Sequence, residues 1–133
     1  MLVLLIAVVP TVALADNVSD SEQILCTAVQ ATVCYMEGDC EIGEPWSWNI
    51  PQFIEIDFEE KVLRTTPASG ENRQTPFKNI EREEGLIFLQ GVEQGRAFSF
   101  TIEEETGLAS IAVARSGVTV SVFGACTPLR TSK

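Results

Sequence analysis

The chain contains no histidine, and its cysteines form an even set of four: Cys26, Cys34, Cys40 and Cys126. The usual general base of a serine or cysteine nucleophile is therefore missing, and an even cysteine count argues against a free thiol. A zinc site is disfavoured on the same residues, because the spacings match no paired C-x-x-C pattern. Carboxylates remain. Asp57, Glu59 and Glu60, with the run Glu103-Glu104-Glu105, would form an acid–base pair or a calcium site only if they converged in space. Solvated turns explain them better, since exposed Asp and Glu are ordinary. No catalytic, cofactor or metal residue is assigned, and the expectation is a protein that is not an enzyme.

The conspicuous local feature is Trp46-Ser47-Trp48 between Pro45 and Pro51. Aromatic side chains on a loop can form the mouth of a cavity or anchor a partner, so Trp46 and Trp48 are the ligand or partner candidates. The plainer reading is that they only cover one end of the core. Arg73, Lys78, Arg82 and Arg96 stand out in an acidic chain. They are either an anion site or ordinary paired surface charge.

Whatever these side chains do, β-strands position them. Gly85, Gly95, Gly107 and Gly117 punctuate the second half at near-even intervals, with alternating apolar and polar residues between them. That rhythm predicts hairpins joined by tight turns, with strands at Leu86 to Val92, Arg96 to Ile102, Leu108 to Ala114 and Val118 to Phe123. Earlier strands are expected at Ile24 to Tyr35, from Phe53 through Phe58, at Val62 to Arg64 and at Phe77 to Glu83. Met36 to Gln52, rich in Gly and Pro, reads as a long loop with room for one helical turn, and Pro67 to Gln74 as a polar loop. The expected class is all-β: an antiparallel up-and-down meander of about eight strands, closed into a small barrel, with a β-sandwich as the alternative.

Cysteine geometry bears on closure. Cys26 and Cys34 lie on one extended strand, roughly 26 Å apart if it is unbroken, far beyond disulfide reach. Cys34 and Cys40 flank a short loop and can meet, which leaves Cys26 for Cys126. In a closed barrel that bond staples the first strand to the last. Chain entropy assigns about 4.7 kcal/mol to this long loop and about 2.4 kcal/mol to the short one.

The pairing creates a register conflict. With Cys26 opposite Cys126, Val118, Val120 and Val122 share a face with Gln30 and Thr32, while Leu25, Val29 and Val33 share the other with Phe123. Either a bulge shifts the register near Gly124, or the three valines lie outside the barrel beneath the tryptophan loop.

The formal net charge is −10 over 133 residues. Nucleic acid and anionic membrane surfaces are improbable partners, since both attract basic patches. Met1 to Ala15 is an uncharged apolar run ending Ala13-Leu14-Ala15, read as a signal peptide without a basic start. A membrane helix is less favoured, because the run falls short of the roughly 20 residues needed to span a bilayer and holds Pro10. Residues 16–133 then form a single domain of a periplasmic or secreted protein, with no stable membrane insertion after cleavage. Asn17-Val18-Ser19 matches the N-glycosylation pattern and carries no weight in an exported bacterial chain.

The segment Gly91-Val92-Glu93-Gln94-Gly95-Arg96, leading through Phe98, Phe100 and Ile102 to Thr106-Gly107, and the close on Val122-Phe123-Gly124-Ala125-Cys126-Thr127-Pro128 resemble a set of small exported Gram-negative proteins of unknown function. The resemblance rests on turns, core strands and a terminal cysteine, so it implies export and transfers no catalytic residue. In plan the chain also resembles lipocalins, and the small periplasmic barrels that inhibit lysozyme. Ser69-Gly70-Glu71 departs from the inhibitory Ser-Gly-x-Arg or Ser-Gly-x-Lys loop of the latter by carrying an acid.

Two functions follow as expectations. The first is an exported binding module that takes a small apolar ligand in its interior or under Trp46 and Trp48. The second is an acidic interaction or inhibitor domain for a basic protein such as a lysozyme-like enzyme.

Overall fold

The computed structural model describes residues 16–69 and 72–129. The expected signal segment, and Gly70 and Glu71 of the Ser-Gly-Glu loop, lie outside them. Ten strands follow in order: β1 Gln23–Tyr35, β2 Cys40–Gly43, β3 Phe53–Asp57, β4 Val62–Thr65, β5 Gln74–Pro76, β6 Asn79–Glu83, β7 Leu86–Glu93, β8 Arg96–Glu103, β9 Leu108–Arg115 and β10 Val118–Pro128. The eight expected strands are present, with two short pieces added: β2 inside the segment Met36 to Gln52 read as a loop, and β5 at the end of the loop read as Pro67 to Gln74.

All strand pairs are antiparallel, in the spatial order β5-β4-β3-β1-β10-β9-β8-β7-β6, with β2 added beside β1. This is a meander curled into a barrel-like sheet, in which the first strand lies against the last. The two ends of the spatial order, β5 and β6, are consecutive in sequence and joined through Phe77 and Lys78. There the Phe77 amide donates to the Lys61 carbonyl at 3.1 Å and the Lys78 amide to the Gln90 carbonyl at 2.9 Å, so the chain itself bridges the gap between β4 and β7.

The tight turns form for the reason the glycine spacing implies. In the β7–β8 turn Gln94 has φ 48° and Gly95 φ 75°. Two successive positive φ values match the right-handed twist of the flanking strands.

The register conflict is resolved by a bulge. Between β1 and β10 the pairing runs from Ile24↔Pro128 to Ala28↔Gly124, then resumes at Gln30↔Phe123, leaving Val29 unpaired. Gly124 sits opposite the break, where a Cβ would collide with the Thr27 carbonyl, so a bare backbone is needed at that position. Beyond the bulge every side chain of β1 changes face relative to β10. Ala31 and Val33 join Val120 and Val122 inside, whereas Val29 is 63% exposed and Phe123 57%. The valines of β10 are thus interior, not outside, and the reading that put Leu25, Val29 and Val33 on one face fails at Val33, which the bulge turns inward.

The interior is unevenly filled. Val18, Ile24, Ile56, Ile87, Leu89 and Ile102 are all fully enclosed and form, with Phe77, the densest part of the core. They cluster toward the end of the sheet that carries the β3–β4, β6–β7 and β8–β9 turns. Val18 seals that end, its amide donating to the Glu104 carbonyl at 2.8 Å.

Candidate functional site

The opposite end is open. It carries the β7–β8 and β9–β10 turns, the segment between β2 and β3, and the loop between β4 and β5, and it leads into a cavity of about 620 Å³. The walls come from eight strands, with Val33, Phe98, Ile111, Val113, Val120 and Val122 among the inward positions. The period of two explains the lining: on β8 Arg96, Phe98, Phe100 and Ile102 point in, and on β9 Ala109, Ile111, Val113 and Arg115 do. Gly91 lies opposite Phe98, and a Cβ there would strike the Phe98 ring. The tip of the ring therefore packs over the β7 backbone at Gly91. Phe100 meets it edge to face with centroids 6.0 Å apart.

The tryptophans separate. Pro45–Trp48 forms a 3-10 turn whose buried residue is Pro45, ended by Asn49 at φ 57°. This turn carries the half-buried Trp48 to the cavity mouth, with its ring against Gly43 of β2. Trp46 is 51% exposed and does not line the cavity. Four phenylalanines of the strands and turns divide likewise. Phe98 and Phe100 line the cavity, Phe58 packs at the closed end with the Arg82 guanidinium 5.1 Å above its ring, and Phe88 alternates outward on β7.

The basic residues singled out from the sequence have different fates. Arg82 bonds to Glu104 at 2.9 Å and to the Ser19 carbonyl at 3.1 Å, at the closed end. Arg73 lies at the mouth and pairs with Glu93 at 3.2 Å. Arg96 lines the mouth and forms no ion pair with another described residue. Lys78 lies outside, by a shallow depression over β7, β8 and β9. Arg115, also at the mouth, lies one residue beyond the strand expected at Leu108 to Ala114. Its signal was parity, since it continues the inward row Ala109, Ile111 and Val113.

Of the candidate carboxylates, Asp57 and Glu60 hold a turn and Glu104 pairs with Arg82. Asp57 is buried, and its carboxylate accepts from the Glu59 and Glu60 amides at 3.0 and 2.9 Å, from Gln23 Nε2 at 3.0 Å and from Arg64 Nη1 at 3.3 Å. Burial alone would raise its pKa, but the Glu60 amide, the Arg64 guanidinium and the Glu59 amide together bring it below the usual carboxylate value. Arg64 also holds Glu60. The arrangement fixes the β3–β4 turn. Among the described residues no three of His, Cys, Asp and Glu are grouped to hold a metal ion.

Both expected disulfides are formed, Cys26–Cys126 across the β1–β10 seam and Cys34–Cys40 between β1 and β2. They indicate an oxidising, non-cytoplasmic compartment. Among the described residues no helix is long and apolar enough to cross a membrane. No family model, curated protein or solved structure matches the chain.

Proposed function

We propose that the protein is a non-enzymatic, exported binding module that receives a small apolar ligand into its interior. One observation carries this: a cavity of about 620 Å³ with an apolar wall, inside a single curled sheet. Ligand sites of known proteins fall at roughly 300–1,000 Å³ and combine apolar lining with a few convergent polar groups. The buried carboxylate is committed to a turn, which is consistent with binding without chemistry. Export, to a periplasm or beyond, accords with the apolar start and two disulfides.

Trp48 provides the test. Titration of the oxidised protein with the neutral dye N-phenylnaphthylamine should shift tryptophan emission and saturate near one dye per chain. The response should survive Trp46→Phe and vanish in Trp48→Phe. An unsaturable response, or one that follows Trp46, would overturn the proposal.

The acidic exterior favours a second reading. Glu81, Glu83, Glu84, Glu103 and Glu105 are all exposed around the closed end. Such a surface suits a basic protein partner, and capture of basic hydrolases should then fall steeply with salt. Recovery of nothing at low ionic strength would remove this reading.

A further inference from the structure

We infer that the ligand is a single-chain amphiphile with an anionic head, its tail in the cavity and its carboxylate or phosphate held by Arg96 and Arg115. This inference rests on the apolar-ligand reading above and adds the head group.

The geometry points to it through the order of residues around the mouth. Glu93 pairs with Arg96 across β7–β8, and Arg115 with Val118 across β9–β10. The β8–β9 register, ending at Ala97↔Ala114, continues to place Arg96 beside Arg115. All are inward positions. Arg64 aside, the described residues that line the mouth set Arg73, Arg96 and Arg115 against one carboxylate, Glu93, which Arg73 engages. Arg64 also borders the cavity, but Asp57 and Glu60 hold it. Among the described residues Arg96 and Arg115 form neither an ion pair nor a side-chain hydrogen bond.

Two like charges on neighbouring inward positions repel unless an anion lies between them. In a chain of net charge −10 with many exposed carboxylates, that juxtaposition is unusual. An anionic head satisfies it, because guanidinium forks match carboxylate and phosphate oxygens. Below the arginines the wall turns apolar through Val113, Phe98 and Val120, where only a hydrocarbon tail is well accommodated.

Dodecanoate, dodecyl phosphate, dodecanol and dodecylamine, titrated into the oxidised full chain with Trp48 emission as the readout, distinguish the possibilities. At least one anion should bind tenfold or more tightly than the alcohol, and the amine least. Comparing the two anions separates carboxylate from phosphate as the preferred head. In Arg96→Gln/Arg115→Gln the anion should weaken to the level of the alcohol, while the alcohol's own affinity and the melting temperature stay within experimental error. Equal affinity for anion and alcohol would overturn the head-group inference and leave the apolar reading standing. Failure of all four probes to bind would overturn both.

Discussion

At the residue scale, Asp57 shows how a group that resembles a catalytic carboxylate can be spent on a turn. Its folded-state pKa lies below the unfolded value of about 3.9. The stability it contributes is therefore complete above that value and is lost as pH falls through the lower, folded pKa. Asp57→Asn should destabilise the protein by about 1–3 kcal/mol at neutral pH, since buried donors lose their charged acceptor. The gap from wild type should narrow in acid, which urea melts at neutral pH and near pH 3 would check. A smaller effect is expected at Thr66, whose buried Oγ1 has no hydrogen-bond partner among the described residues. Thr66→Val should leave thermal stability unchanged or raise it by up to about 1 kcal/mol.

At the scale of the elements, the β1–β10 seam is the distinctive feature, combining a disulfide, a bulge and a glycine. Gly124→Val should be strongly destabilising, because its side chain must displace the Thr27 carbonyl. A drop of about 2–4 kcal/mol in denaturant melts, of the order seen for overpacked or strained sites, is expected. Loss of the seam disulfide in Cys26→Ser/Cys126→Ser should cost more than loss of the Cys34–Cys40 bond, in line with sequence separations of 100 and 6. Equal melting points for the two double variants would refute that ranking.

Much of this level could be read from residue types alone. Gly95 and Gly117 mark turns by their chemistry, alternation sets the faces of β7 to β10, and the parity clash at Val118, Val120 and Val122 pointed to a bulge near Gly124. β2 and β5 were hidden for a physical reason. Each is only four or three residues long, too short to show a period, and each exists because a neighbour supplies its hydrogen bonds.

At the scale of the whole molecule, the division of the interior into a filled end and an open end governs function, and it is the part least visible in residue order. Whether Phe98 fills the centre or lies against a wall depends on Gly91 across the sheet, a contact no local pattern encodes. Trp48 was visible as a candidate by its loop, but its separation from Trp46 depended on the 3-10 turn at Pro45. Arg96 and Arg115 come from different hairpins but are neighbours through the β8–β9 register, whereas Arg73 reaches Glu93 only because the sheet curls.

Whether the interior is a binding cavity is measured most directly by filling it from within. Val120→Phe projects a ring into the space from β10 without touching the closed-end core. Binding of N-phenylnaphthylamine should fall at least tenfold in this variant while its melting temperature stays at or above that of wild type. Undiminished binding by a stably folded Val120→Phe protein would contradict the account.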